Sequence, residues 1–312
     1  MPTKERWGRP YPDTRDWSIY NELLVKRGEF YLSLDFIDRW DDQLAEMNAG
    51  KPGRPFQYPE AFIEWMARIH VFLKMPYRQM EGVVRKLATF ISGLKAADYT
   101  TLFRRIQRLD LSLKVTPEIL AEDVIVAADS TGIKVTNRGE WMREKWRVRC
   151  GWIKLHAMID VETTQVLGLE ITDESIQDDQ MFVPLLDQAQ QHGGEEHPVH
   201  RALADGAYDR NELFTTLEQR GIASGIKTRA DAATHSTGSP YRAECVRDRN
   251  RWGGYQMWSL VVTYGMRWKV EGLFSSVKRI VGEGVQATSR EGMFREIRMK
   301  VNCYNMLIAL AP

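Results

Sequence analysis

The sequence predicts an α/β fold, a mixed sheet with flanking helices, preceded by a helical helix-turn-helix module. Three observations predict it. Residues 124–129 (VIVAAD) are an apolar run ending on a carboxylate, as a strand buried on both faces reads, and residues 199–205 form another strand ending on a carboxylate. Residues 152–160 and 165–172 are β-rich and separated only by VETT, the pattern of an antiparallel hairpin. Residues 60–110 carry apolar positions at three- and four-residue steps, the period of amphipathic helices. At 312 residues the chain has room for two domains or one core with an appended module, and 43% hydrophobic content excludes a disordered chain.

In chain order, residues 1–50 form a leader without a readable motif, and its aromatics Trp7, Trp17, Tyr20 and Trp40 read as packing residues. The Gly and Pro of NAGKPGRP (48–55) mark a linker into a helical domain, 51–116. There Phe62, Trp65, Met66, Ile69, Phe72 and Leu73 stripe a helix after Pro59, and Met80, Val83, Val84 and Leu87 stripe another after Pro76. Ser92-Gly93 and Leu94 read as a turn, and Asp98 as the N-cap of a third helix. In that helix Leu102, Ile106 and Leu109 point inward and leave Arg104, Arg105 and Arg108 facing out. Helix, Gly turn and basic helix is the helix-turn-helix pattern, whose second helix reads DNA; the plain alternative is a three-helix packing with a solvated basic face.

Thr116-Pro117 opens the larger domain, 117–312. After the strand at 124–129 and the hairpin come a helix over 179–191, the strand 199–205, a helix over 211–220 and a short strand at 222–227. Asp209 reads as the N-cap of the helix at 211. A final helix buries Met299, Val301, Tyr304, Leu307 and Ile308 and leaves Arg290, Arg295, Arg298 and Lys300 as a solvated face.

Charge is balanced only in total, 43 Lys and Arg against 42 Asp and Glu, so a polyanion partner must be met by local patches. Residues 51–115 are net basic, whereas 155–200 contain no Lys or Arg and collect Asp and Glu. No run approaches the roughly 20 apolar residues of a membrane helix. Nothing near Met1 resembles a secretory signal, and the three scattered cysteines suit a reducing compartment, so a cytoplasmic, nucleoid-associated protein is expected. The six histidines make no metal-binding spacing with cysteine.

The chemistry gathers on three acids. If the strands ending at Asp129 and Asp205 are neighbours, their carboxylates converge at one edge, an arrangement suited to hard divalent ions. Taken singly, either Asp is more simply a turn or cap residue. In residues 264–281, Tyr264, Arg267, Glu271 and Lys278 fall within roughly 40° of Glu271 on a helix. Val270, Leu273, Phe274 and Val277 take the other side; the plain alternative is a surface ion-pair face.

These four residues resemble, in type and spacing, the Tyr, Arg, Glu, Lys signature of DDE-type insertion-sequence transposases. VIVAADSTGIKV around Asp129 looks like their first acidic motif and ALADGAYDR around Asp205 like their second, with the nearest likeness to the insertion-sequence-five group. The resemblance implies a ribonuclease-H-like core, and makes Asp129, Asp205 and Glu271 catalytic ligands of two Mg²⁺ or Mn²⁺ ions. It implies cleavage and strand transfer on double-stranded DNA, both transposon ends and target, by a homodimer or higher oligomer. Tyr264, Arg267 and Lys278 become DNA-end contacts. The basic, Trp-containing segment 138–149 adds Arg143, Lys145 and Arg147 as DNA-binding candidates. A catalytically silent DNA-binding regulator and a metal-dependent nuclease without strand transfer are the alternatives.

Overall fold

The computed structural model describes residues 4–6, 9–11, 16–135, 144 and 152–310. Strands β1 (Lys4–Arg6) and β2 (Arg9–Tyr11) pair antiparallel. The leader then contains helices α1 (Trp17–Tyr31), N-capped by Asp16, and α2 (Trp40–Asn48). Helices α3 (Glu60–Leu73), α4 (Tyr77–Leu87) and α5 (Tyr99–Ile106) follow where the apolar stripes place them, two of them entered through a proline. Asp98 caps α5 as expected, accepting from Thr100 N and Thr101 N at 3.0 Å each. Leu94, Leu102, Ile106 and Leu109 are buried. Trp40 is buried as well, in an aromatic group with Phe36, Phe62 and Tyr58. Trp17 and Tyr20 are instead exposed.

The sheet is built from β3 (Val124–Val135), β4 (Trp152–Asp160), β5 (Val166–Asp173), β6 (Val199–Ala204) and β7 (Ala223–Ile226), in the order β5-β4-β3-β6-β7. β3, β4 and β5 run antiparallel, and β6 and β7 join in parallel, so the expected hairpin and the expected mixed sheet are both present. Between strands lie α6 (Phe182–Gly193) and α7 (Asn211–Gln219). After β7 come α8 (Pro240–Arg251), α9 (Tyr255–Val261), α10 (Trp268–Val281), a two-residue strand β8 (Gly284–Val285) beside the end of β3, and α11 (Arg290–Ala309).

Three sequence expectations change in detail. β3 does not end at Asp129 but continues to Val135, because β4 pairs with it as far as Lys134. The helix expected from 179 opens with a 3-10 turn, Asp178–Met181, held by reciprocal bonds between Gln177 and Gln180. The helix expected from Tyr264 begins at Trp268; Thr263 is left-handed (φ 57°), and Tyr264–Arg267 form a 3-10 turn.

Each face of the sheet has its own core. One cluster unites Val126, Ala128, Ala202 and Ala204 with Phe182, Leu185 and Phe214 of α6 and α7. The other unites Ala127, Leu155, Ala157 and Leu203 with α10, α11 and the helical segment before residue 116, including Phe62, Trp65, Met80 and Leu102. The helical segment thus shares its core with the sheet.

Candidate active site

Register brings the first two acids together. β3 and β6 pair in parallel at Ala127 and Leu203, and Asp129 and Asp205 each lie two residues further on. Residues two apart on a strand share a face, so both side chains stand on the α10 side of the sheet. The parallel pairing stops there: β6 ends at Ala204, and Asp205 caps the 3-10 turn Gly206–Tyr208 through its bond from Ala207 N (2.8 Å).

α10 crosses above them and carries the third acid. Val270, Leu273, Phe274, Val277 and Val281 bury one flank of the helix, which leaves Glu271 exposed on the other. Arg267, one turn earlier, ties the two elements: Nη1 donates to Asp129 Oδ2 (3.0 Å) and Nη2 to Glu271 Oε1 (2.7 Å). Two turns along α10, Lys278 Nζ donates to Thr131 Oγ1 (2.8 Å), one face-sharing step beyond Asp129 on β3. Among the described residues Lys278 makes no ion pair. The half-buried Tyr264 packs on Tyr255 and Trp258, and the guanidinium of Arg267 lies 5.9 Å from its ring centroid.

Electrostatics register the crowding. Burial pushes the Asp129 carboxyl up; the Ser130 N–H and Arg267 oppose this, and the charges of Asp205 and Glu271 add to it. Burial works against the charge on Arg267, but Tyr264, Glu271 and Asp129 outweigh it and hold its pKa above the ordinary guanidinium value. Burial raises the Tyr264 hydroxyl to about 12.

The donors fit a hard divalent cation: all are carboxylate oxygens, and their mutual repulsion is the kind that bound positive charge relieves. Among the described residues no group of His, Cys, Asp and Glu is gathered closely enough to hold a metal as it stands. The guanidinium lies between Asp129 and Glu271 and supplies the cation there.

The other predicted residues lie apart from this cluster. Arg104 is exposed on α5, whereas the helix ends at Ile106 and leaves Arg108 exposed in the turn that follows, not on the helix as expected. Arg105 is half-buried, with Nη1 donating to Tyr58 O (3.2 Å) and its guanidinium 4.6 Å from the Phe56 ring centroid. Arg143, Lys145 and Arg147 lie outside the described residues. Asp209 is not the cap of α7. It is buried against Arg242, whose Nε and Nη2 donate at 2.6 and 2.8 Å, and it accepts from Arg229 N. Burial would raise its carboxyl, but these donors prevail and hold it low. The basic residues of α11 are a solvated face only in part, with Arg290 exposed. Lys300 is buried on Glu296 (2.9 Å), Arg295 donates to Leu109 O (2.8 Å), and Arg290 pairs with Asp173 (2.8 Å).

A buried polar group that carries no sequence motif lies on the face of the sheet opposite Asp129. His156, opposite Ser130 on β4, is fully buried, with Nε2 2.8 Å from Thr172 Oγ1 and Nδ1 3.5 Å from Asp178 Oδ1. Lys154 Nζ holds the same Asp178 oxygen at 3.1 Å. Its one sequence signal is that Asp178 directly precedes the helix expected from 179.

A family model described as a transposase DDE domain matches residues 120–306, and a second of the same description matches residues 25–138. The chain belongs to the transposase DDE-domain family. It is therefore an enzyme of DNA transposition, and the α/β, ribonuclease-H-like class expected from the motifs stands. The match establishes the broad family and does not single out the insertion-sequence-five group. Solved structures similar to this transposase include the piggyBac transposase synaptic complex with hairpin DNA (11% identity, 92% of this chain and 74% of that one, TM-score 0.37). The Drosophila P element transposase strand transfer complex also matches (9% identity, 91% and 85%, TM-score 0.34). So does the simian T-cell lymphotropic virus intasome in complex with PP2A regulatory subunit B56 gamma (13% identity, 67% and 69%, TM-score 0.24). Among the described residues no helix is long and apolar enough to cross a membrane.

Proposed function

We propose that this transposase binds transposon ends as double-stranded DNA, cleaves them with two Mg²⁺ or Mn²⁺ ions, and joins the freed 3′ ends to target DNA. The observation that carries the reading is the meeting of Asp129 and Glu271 on one guanidinium, with Asp205 directly past the end of β6, the strand that pairs with β3. These three carboxylates would hold the ions, which when bound act as a Lewis-acid pair on the attacking and leaving oxygens.

The remaining roles belong to the chain. Arg267 neutralises two acids before metal arrives; once released, its planar fork suits a phosphate. Tyr264 backs that guanidinium. Lys278 has no carboxylate partner among the described residues, so its compact charge is left for a phosphate near the cut. Arg104 and Arg108 contact the end from the helix-turn-helix, supported by Arg105, and Arg143, Lys145 and Arg147 join them on sequence grounds alone. Two or more copies hold the paired ends, in the nucleoid.

The test is cleavage and joining of a terminal DNA duplex. Asp129→Asn, Asp205→Asn and Glu271→Gln should each slow both steps at least about 100-fold, since a metal contribution of several kcal/mol is at stake, while end binding persists. Arg267→Ala should lower cleavage yet raise the affinity of the DNA-free protein for Mn²⁺, because it removes a competing cation. Cleavage without joining would favour the nuclease, and DNA binding without any metal-dependent cleavage the silent regulator. Wild-type turnover by an acid variant removes that residue from the site.

A further inference from the structure

The row of the sheet that leads to two of the acids leads also to a cation. Ala127, Leu203 and Gly225 lie side by side on β3, β6 and β7. Two residues beyond each stand Asp129, Asp205 and Lys227, so Lys227 falls on the α10 side of the sheet with the acids. Lys227 N donates to Ala204 O (3.1 Å) and carries the β6–β7 ladder one step past Ile226, level with Asp205. The side chain agrees with that face. Its Nζ lies 4.8 Å from the ring centroid of the exposed Tyr255, whose ring meets Tyr264 at 6.0 Å, and Tyr264 backs Arg267. Arg229 follows two residues later. Both cations are exposed, and among the described residues neither makes an ion pair. The backbone between them is held from beneath by α8. Arg249, only 8% exposed, donates from Nη1 to Thr228 Oγ1 (2.8 Å), Arg229 O (2.8 Å) and Thr228 O (3.3 Å), and from Nη2 to Ala230 O (3.5 Å). Arg229 N is held in turn by the buried Asp209 (3.0 Å). A buried guanidinium is costly unless its donors are met, and here the oxygens of one surface segment meet them. Lys227 and Arg229 therefore reach solvent from a fixed backbone.

We infer that residues 227–229 form a second DNA site on the far side of the cut from Lys278, where Lys227 and Arg229 take phosphates of the flanking duplex before cleavage and of target DNA at joining. The inference rests on the proposed reading of the acidic site. Placement decides which DNA is met. Lys278 is tied to Thr131 on β3, whereas Lys227 follows β7, on the other side of Asp205 in the strand order. A strand whose scissile phosphate meets the acids leaves them in both directions, and the two lysines stand one in each. With Lys278 on the transposon end, the segment 227–229 meets the DNA across the cut. Phosphate contacts carry no sequence information, so the same two cations serve first the flank and then a target of any sequence. Tyr255 holds Lys227 as Tyr264 holds Arg267; a cation over an exposed ring is weakly held and is released readily to a phosphate.

The experiment is the full chain with Lys227→Ala and Arg229→Ala combined, against two terminal duplexes: one ending at the cleavage point, one extended by flank of about 10 base pairs, a helical turn. Binding is measured in Ca²⁺, whose looser coordination favours assembly over chemistry. The double variant should bind the pre-cut duplex as wild type does. On the extended duplex it should bind about tenfold more weakly, with the slope of log K against log salt reduced by about 2. In joining of the pre-cut end, the target concentration for half-maximal rate should rise by a similar factor while the maximal rate is retained. The charge-keeping pair Lys227→Arg and Arg229→Lys should behave as wild type; if it failed as the alanine pair does, the effect would be structural and the inference overturned. Equal weakening on both duplexes would put the segment on the transposon end and overturn it too. Binding, slope and joining all equal to wild type would overturn it while leaving the site reading intact, provided Asp205→Asn abolishes cleavage in parallel. Wild-type protein that bound neither duplex above random DNA would overturn both.

Discussion

His156 shows how one buried residue couples the stability of the fold to pH. Burial lowers its pKa from 6.5 to about 4, and Lys154 adds to this; the carboxylate of Asp178 at 3.5 Å opposes it and loses. The folded protein therefore carries a neutral imidazole where the unfolded chain would be protonated. Stability from this residue is full above pH 6.5 and is lost as pH falls toward 4, by about 3 kcal/mol at most. Denaturant unfolding of wild type and His156→Gln at pH 7 and pH 4.5 checks this: the loss on acidification should be about 2 kcal/mol smaller in the variant. Equal losses would show that His156 is not the source. At this scale the candidate acids were legible in the sequence only as a set, because a carboxylate closing an apolar run is by itself simply a turn or cap residue. Glu271 and Arg267 were legible through four-residue spacing. The bond from Arg267 to Asp129 was not, since it spans two distant elements, and a buried His or Tyr leaves no pattern that separates it from core packing.

Among elements, α5 and α10 show what periodicity settles. Both buried stripes are where the apolar residues recur, and Asp98 caps α5 through the backbone N–H groups its side chain can reach. What periodicity misses is the backbone: it runs one pattern from Tyr264 to Val281, whereas Thr263 is left-handed and a 3-10 turn precedes the α-helix. Side-chain capture within the fold is equally invisible, so Arg104, Arg105 and Arg108 looked equivalent although only Arg105 is tied to Tyr58 and Phe56. This separates their expected phenotypes. Arg104→Ala with Arg108→Ala should leave the melting temperature nearly unchanged and weaken end binding, with the slope of log K against log salt reduced by about 2 if each meets one phosphate. Arg105→Ala should lower the melting temperature as well. An unchanged salt slope in the double variant would remove α5 from the DNA interface.

At the scale of the whole molecule, the linkers at 48–55 and 116–117 look like domain boundaries in the sequence, yet hydrophobic burial runs across the second. Phe62, Trp65, Met66, Met80 and Leu102 belong to the same cluster as Ile297, Met299, Cys303 and Tyr304 of α11 and the inner face of β4. Buried polar groups stitch the same seam. Asn302 Oδ1 accepts from Lys114 N and its Nδ2 donates to Ser112 O; Asn305 Nδ2 donates to Lys114 O and to Val166 O, linking the connecting segment to β5. A fragment starting at residue 117 would expose the apolar flank of α11, at about 1.5–3 kcal/mol for each large side chain, and would leave both Asn side chains short of partners. Several such losses together are comparable with the roughly 5–15 kcal/mol by which a typical domain is stable. The fragment 117–312 should therefore show no cooperative thermal transition and weak near-ultraviolet circular dichroism, although it carries all three acids. The full chain should melt its helical segment and its sheet together, as judged by coincident far- and near-ultraviolet transitions. A fragment that melts cooperatively with native near-ultraviolet signal would show that the shared cluster is an interface between independent domains, with α11 able to stand without α3.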